Sequence, residues 1–167
     1  INGNAWGSDE TVPLSCRYNN SWNRGDSIAN VSDSADVVCF ALCYNCAGVT
    51  FQVDMNQVSQ SFTTPEVNGL WNNWCGNCNP LTDADGDGIW TTKLPLAVGT
   101  TQEYKFSADN WTIQEQNNPA APCTNGNTTY TNRVLVIPAT DTVLNVVCWS
   151  QCTACDVDVT LKVNMAW

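Results

Sequence analysis

The sequence predicts an all-β fold, a β-sandwich held by several disulfide bonds. Ten cysteines, an even number, occur in 167 residues, a density typical of disulfide-linked secreted domains. Only 13% of the residues are charged, whereas helical proteins usually carry many Glu, Lys and Arg side chains. Short β-rich segments bounded by Gly, Pro and Asn recur along the sequence, which shows no sustained helical period.

The predicted strands are short and follow one another at the spacing of a sandwich. Residues 49–55 alternate apolar and polar side chains, as expected of a strand with one buried face. Further strands are predicted at residues 89–96, 103–108, 132–137 and 143–147. Glycines, prolines and Asp-Gly pairs between these segments supply the turns.

The composition excludes several classes of function. The net charge is −10 with only six Lys and Arg residues, so no basic surface is expected to bind nucleic acid. The sequence has no His, and therefore lacks the commonest general base and zinc ligand. It also has no nucleophile motif or phosphate-binding loop, so we expect no enzyme. No apolar run approaches the roughly 18 residues of a membrane helix, so membrane insertion is not expected.

One sequence pattern occurs twice. The Cys-x3-Cys-x2-Cys cluster of residues 39–46 recurs at residues 148–155, an offset of 148 − 39 = 109. The alternating segment 49–55 recurs at residues 159–165, an offset of 159 − 49 = 110. This period fits a whole small domain and is too long for one turn of a solenoid.

The repeat predicts a division of the chain into three parts. Residues 1–46 would be the C-terminal half of a preceding repeat, residues 47–155 one complete β-sandwich repeat, and residues 156–167 the first strand of the following repeat. We expect such a segment to belong to a longer repetitive polypeptide. Alternatively, the last segment supplies a missing strand to the first, within one chain or between chains.

The cysteines fall into three groups, of four, two and four residues. They are Cys16, Cys39, Cys43 and Cys46; Cys75 and Cys78; and Cys123, Cys148, Cys152 and Cys155. The repeated group suggests Cys16–Cys39 with Cys43–Cys46, and Cys123–Cys148 with Cys152–Cys155, while Cys75–Cys78 would close a loop. The sequence leaves other pairings open. The cluster spacing also matches iron–sulfur radical enzymes, which need an α/β barrel and a reducing compartment, and four thiolates could bind zinc.

An acidic loop predicts a calcium site. Asp83, Asp85 and Asp87 stand at alternate positions among glycines, and the backbone carbonyl of Ile89 would follow as the next oxygen ligand. The twelfth position of an EF-hand would be Leu94 instead of Glu, so the loop is not an EF-hand. The alternative is a hairpin turn that merely carries charge.

The region 67–137 resembles the glycogen- and starch-binding modules of families 48 and 20. The matching residues are Val67-Asn68-Gly69-Leu70-Trp71-Asn72-Asn73-Trp74, Pro80-Leu81, Asp87-Gly88-Ile89-Trp90, Leu94-Pro95-Leu96, Gly99, Glu103-Tyr104-Lys105-Phe106, Asp109-Asn110-Trp111 and Thr131-Asn132-Arg133. The resemblance implies an immunoglobulin-like β-sandwich. With its many cysteines and its acidic loop, this version of the module is similar to repeats of large surface proteins that Bacteroidota export by the type IX route.

The same resemblance implies a glycan-binding surface. By position, Trp74, Lys105, Trp111 and Asn132 match the residues that stack on sugars and bond their hydroxyl groups in such modules. The loop after Trp111 departs from the family pattern, and cysteines crowd Trp74. The alternative is that this surface packs between repeats or chains. Exposure of both tryptophans on one platform would favour glycan binding.

Two functions are therefore predicted. The first is a structural or adhesive repeat of an extracellular filament or surface appendage that assembles through repeat–repeat or chain–chain contacts as a homo-oligomer. The second is a carbohydrate-binding module of a secreted polysaccharide-active protein. Both place the chain outside the cell or on its surface, and both allow a bound Ca²⁺.

Overall fold

A computed structural model describes residues 45–155. The strands are β1 (Cys46–Asp54), β2 (Pro65–Gly69), β3 (Ile89–Ala97), β4 (Thr101–Ala108), β5 (Ile113–Gln114), β6 (Arg133–Val136), β7 (Thr142–Val143) and β8 (Val147–Cys148). A short 3₁₀ turn, Leu70–Asn72, follows β2. The predicted all-β, disulfide-rich class is confirmed. The predictions for Cys16, Cys39, Cys43, residues 156–167 and nearly all of residues 1–46 lie outside the described residues.

The strands form two sheets. In the first, the order is β3-β1-β7, and β8 also pairs with β1. In the second, the order is β2-β4-β5, and β6 also pairs with β4. β2 and β5 both run antiparallel to β4, whereas β7 and β8 run parallel to β1. No helix among residues 45–155 is both long and apolar enough to cross a membrane.

The predicted strand at residues 143–147 is wrong, because two shorter strands stand in its place. Val49 pairs with Thr142, and Val53 pairs with Val147. Between these pairs β1 advances 53 − 49 = 4 residues, while the other chain segment advances 147 − 142 = 5. The extra residue interrupts the ladder, as in a β-bulge. β2 and β5 were not among the predicted strands.

The described chain divides into two compact units. The first contains residues 45–50, Lys93–Thr101 and Val136–Val143. Its backbone is joined by a reciprocal pair of hydrogen bonds, from Gly99 N to Ile137 O and from Ile137 N to Thr100 O, each 2.9 Å long. An exposed ion pair, Lys93 Nζ to Asp141 Oδ2 at 2.6 Å, lies in the same unit. Donation from Lys93 lowers the pKa of Asp141 below its usual value.

The second unit contains residues Phe51–Thr92, Gln102–Leu135 and 144–155, and has an aromatic core. The Phe51 ring lies 5.3 Å from Trp71 and 5.1 Å from Tyr104, measured between centroids. Phe106 lies edge-on to Tyr104 at 5.8 Å. Burial raises the pKa of Tyr104 to about 12, so its hydroxyl stays neutral at physiological pH. Because Phe51 belongs to β1 and Tyr104 to β4, their contact joins the two sheets within this unit.

A buried ion pair, Arg133–Glu115, lies in the second unit. Arg133 and Glu115 have side-chain exposures of 1% and 0%, and their charged atoms meet at 2.7 Å. A second bond joins Arg133 Nε to Glu115 Oε1 at 2.9 Å, so the pair is bidentate. Arg133 also donates to the Gln151 carbonyl, and the Phe106 N–H donates to Glu115. Every strong polar group of this pair therefore has a partner.

Three disulfides lie within residues 45–155: Cys75–Cys78, Cys123–Cys152 and Cys148–Cys155. The Cys75–Cys78 bond is the one that the sequence predicted. The suggested pairing Cys123–Cys148 with Cys152–Cys155 is wrong, because the chain reverses after Cys148. The Gln151 N–H donates to the Cys148 carbonyl at 3.0 Å, and this turn brings Cys152 back to Cys123. Disulfides of this number are typical of proteins in oxidising compartments.

Candidate functional site

Two turns of the second unit carry tryptophans in left-handed backbone conformation. Asn73 and Trp74 have φ of 51° and 57°. Asp109, Asn110 and Trp111 follow one another with φ of 51°, 55° and 67°. A bulky residue rarely adopts positive φ, and each costs roughly 1–2 kcal/mol. Such strain persists only where surrounding contacts impose it, and it is concentrated at binding sites.

Two carboxylates, one of them buried, hold the conformation of the second turn. Asp109 accepts hydrogen bonds from the backbone N–H groups of Thr63 at 2.9 Å and Thr64 at 2.8 Å. Glu66, only 2% exposed, accepts one from the Asn110 N–H at 2.9 Å. The other oxygen of Glu66 accepts from the Ser107 hydroxyl at 3.0 Å. These hydrogen bonds therefore fix the backbone of the turn that carries Trp111.

An asparagine network holds the first turn. The Trp74 N–H donates to Asn72 Oδ1 at 3.1 Å. Asn68 is fully buried and bonds both backbone groups of Gly76, accepting from its N–H at 2.9 Å and donating to its carbonyl at 2.8 Å. Gly76 has φ of 87°, and a Cβ there would collide with the Asn110 side chain. Glycine is therefore required where the two turns meet.

The two tryptophans form the apolar side of one open cavity. Their ring centroids are 6.4 Å apart with the planes inclined at 40°. Trp111 Nε1 donates to the Trp74 carbonyl at 3.3 Å, which fixes one ring against the other. Both side chains are half-buried, and each lines a cavity of about 530 Å³. Leu70 and Tyr130 complete its apolar lining.

The polar side of the cavity is built from β4, β5 and the segment before β6. Its members are Glu103, Lys105, Gln114, Asn125, Asn127 and Asn132. Glu103 Oε2 accepts hydrogen bonds from Asn132 Nδ2 at 2.9 Å and from Asn125 Nδ2 at 3.1 Å. These amides are thereby held in one orientation, with their donor groups turned to the carboxylate.

Lys105 is the charged donor of the cavity. Among residues 45–155 no carboxylate or carbonyl lies within hydrogen-bonding distance of its ammonium group. Burial lowers the pKa of Lys105 below its ordinary value, and the carboxylate of Glu115 partly opposes this effect. A half-buried ammonium that has no partner among the described residues is suited to bind a ligand oxygen.

The structure brings together all four residues to which the sequence assigned glycan contacts. Trp74, Lys105, Trp111 and Asn132 all line the same cavity. Their role in binding stays a prediction. The sequence reasoning missed Glu103 and Tyr130. Glu103 could have been found, because it stands two residues before Lys105 and side chains two residues apart in a strand lie on the same face.

The acidic loop brings its carboxylates close together. One oxygen from each of Asp83, Asp85 and Asp87 lies within 4.8 Å of the others. Asp83 accepts hydrogen bonds from the N–H groups of Gly86 at 2.8 Å and Gly88 at 3.0 Å. These bonds shape the turn and offset part of the negative charge.

Three oxygen donors on an exposed turn fit a hard cation such as Ca²⁺. Asp85, Asp87 and Ile89 also line a second, smaller cavity of about 280 Å³. For Ile89 the structure gives a donated hydrogen bond, from its N–H to Asp87 Oδ1 at 2.8 Å. Its predicted role as a carbonyl ligand stays a prediction.

Two glucoamylases are among the solved structures that this chain resembles. A glycoside hydrolase family 15 glucoamylase from Hypocrea jecorina matches 64% of this chain at 22% identity with a TM-score of 0.46. A glucoamylase from Hormoconis resinae matches 64% at 19% identity with a TM-score of 0.42. The match spans 17% and 18% of those chains. Because both TM-scores lie below 0.5, neither carries a conclusion about this chain. No known protein family and no curated protein matches the sequence.

Proposed function

We propose that the cavity binds a neutral carbohydrate. The observation that supports this most strongly is that two fixed tryptophans lie in one cavity with Lys105, which has no hydrogen-bond partner within residues 45–155. Aromatic faces pack against the apolar faces of sugar rings, and the nearby donors and acceptors suit sugar hydroxyl groups. Lys105 and Glu103 contribute opposite charges to the lining, which favours an uncharged, polyhydroxylated ligand.

The backbone strain also supports a binding role. Trp74 and Trp111 both have positive φ, and buried polar groups hold each turn. A surface used only for packing would not need this conformation to place a tryptophan. The strain is consistent with side chains fixed before the ligand arrives, which lowers the entropic cost of binding.

The test is isothermal titration of the 167-residue chain with tetrasaccharides of α-1,4-glucan, β-1,4-glucan, mannan and xylan. We expect one class to bind, and expect Trp111→Ala and Lys105→Ala each to weaken it about tenfold. Lys93→Ala is the matched control, because Lys93 lies outside the cavity, and should bind as the wild type does. Equal binding by all variants, or no binding by the wild type, would contradict the proposal.

We further propose that the site binds without catalysis. Glycosidases generally use two carboxyl groups across the scissile bond. Glu103 supplies a carboxylate, but the other described residues of the cavity lining carry none. We also propose an extracellular or cell-surface location, which the disulfides support.

A structural repeat of an extracellular filament is the second candidate. Its support is the sequence repeat together with exposed valines on two strands. Val136 of β6 is 62% exposed and Val143 of β7 is 66% exposed, and both belong to the first unit. Exposed apolar residues on strands offer contacts to neighbouring copies. This candidate predicts self-association of the chain in sedimentation velocity and no saccharide binding in the titrations.

A further inference from the structure

Tyr130 is an aromatic side chain that the proposed binding site has not yet used. Its side chain is 72% exposed and lines the same cavity as the two tryptophans. Large apolar side chains are usually buried, so an exposed ring beside a cavity suggests a binding role. Tyrosine is suited to it, because its ring packs and its hydroxyl forms hydrogen bonds.

The loop that carries Tyr130 has a defined shape. Asn127 Oδ1 accepts hydrogen bonds from the N–H groups of Thr129 at 2.8 Å and Tyr130 at 3.0 Å. The Thr131 hydroxyl donates to the Asn127 carbonyl at 2.6 Å. Such asparagine-centred turns fix short loops without secondary structure. The exposed ring is therefore held on a fixed backbone.

A single amide ties this loop to the polar side of the cavity. Asn125 Nδ2 donates both to Glu103 Oε2 at 3.1 Å and to the Tyr130 carbonyl at 3.0 Å. The same carboxylate oxygen accepts from Asn132. Glu103 thus positions two elements at once, the amide of Asn132 and the backbone of Tyr130. A shift of the loop away from the cavity would break these bonds.

The size of the cavity leaves room for more than one aromatic contact surface. A volume of about 530 Å³ lies within the range of roughly 300–1,000 Å³ that encloses a whole drug-sized ligand, which is larger than one sugar ring. Trp74 and Trp111 contact each other and therefore present one joint surface. Tyr130 belongs to a separate loop and supplies a second surface in the same cavity.

We propose that Tyr130 forms a further subsite, so that the site selects oligosaccharides over single sugars. This rests on the proposed carbohydrate binding and adds the length of the ligand to it. The tryptophan pair would bind one sugar unit, and Tyr130 would contact a unit further along the chain. Glu103 and Asn125 act as positioning residues for that contact.

The test compares wild type, Tyr130→Ala and Tyr130→Phe in titrations with saccharides of one to four units from the α-1,4-glucan, β-1,4-glucan, mannan and xylan series. We expect Tyr130→Ala to weaken binding of two- to four-unit ligands about three- to tenfold and to leave one-unit ligands unchanged. Tyr130→Phe, which keeps the ring, should bind all lengths within about twofold of wild type. Because Tyr130 is exposed, unchanged thermal unfolding is expected for both variants.

The outcomes separate this inference from the proposed function. If wild type binds oligosaccharides and Tyr130→Ala loses no affinity, or loses it equally for all lengths, the subsite is wrong and the proposed function stands. If wild type binds no saccharide of any series, the proposed function is wrong and the subsite falls with it. A loss confined to the longer ligands supports both.

Discussion

Replacing Glu115 by Gln is expected to destabilise the second unit more than any exposed charge replacement would. The change keeps the shape of the side chain and removes its charge. Arg133 would remain charged and only 1% exposed. Of the three hydrogen bonds that joined it to the carboxylate, the two to Oε2 would face an amide N–H group in place of an acceptor.

The expected cost follows from the burial of both partners. Removing one member of a buried ion pair usually costs about 3–5 kcal/mol, because the other charge is left buried without compensation. The Gln151 carbonyl still accepts from Arg133 at 2.8 Å, which places the estimate at the lower end, about 3 kcal/mol. For a chain of 167 residues this corresponds to a fall in the melting temperature of roughly 6–12 °C.

The assay is urea unfolding without reductant, followed by tryptophan fluorescence, together with a thermal scan. The matched control is Asp141→Asn, which breaks the exposed pair with Lys93, whose side chains are 58% and 64% exposed. Water already solvates both of its charges, so little change in the midpoint is expected. If Glu115→Gln shifts the midpoint no more than Asp141→Asn does, the buried pair does not stabilise the core as argued.

The remaining predictions concern the acidic loop and the disulfides. If the loop binds Ca²⁺, a Ca²⁺ concentration about ten times the dissociation constant should stabilise the chain by about 1.4 kcal/mol. Asp85→Asn should abolish this rise in melting temperature. Equal melting temperatures of the wild type in calcium and in EDTA would contradict the site. Chymotrypsin cleavage after Tyr130 and Trp149 without reduction should leave one species of three peptides, joined by Cys123–Cys152 and Cys148–Cys155. A Cys123 peptide joined only to the Cys148 peptide would instead support the pairing suggested by the sequence.

The strands could be predicted where side chains alternate clearly. In β1 every second residue is buried, including Phe51 and Val53, and the alternation is visible in the sequence. β2 was missed because it does not alternate. All five of its residues are buried, among them Glu66 and Asn68, whose partners lie more than 40 residues and 8 residues away. A buried polar residue in a strand cannot be recognised until its partner is known.

The disulfide pairing and the full lining of the cavity could not be predicted for a related reason. Pairing depends on how the chain reverses after Cys148, and a hydrogen bond from Gln151 makes that turn. Likewise, Tyr130 belongs to the cavity because Asn125 ties its loop to Glu103. Cys123 and Cys152 lie 29 residues apart, and Asn125 and Glu103 lie 22 residues apart, and local sequence patterns do not encode contacts over such separations.

The register of β4 links the stability of this unit to its proposed binding site. Tyr104 and Phe106 of this strand are buried in the core. Glu103 and Lys105, which alternate with them along the strand, line the cavity. A slip of one residue would exchange the two sets and destroy both the core and the site. The buried pair opposes such a slip, because Glu115 accepts from the N–H of Phe106 while it binds Arg133. The buried ion pair therefore contributes to the specificity of the structure as well as to its stability.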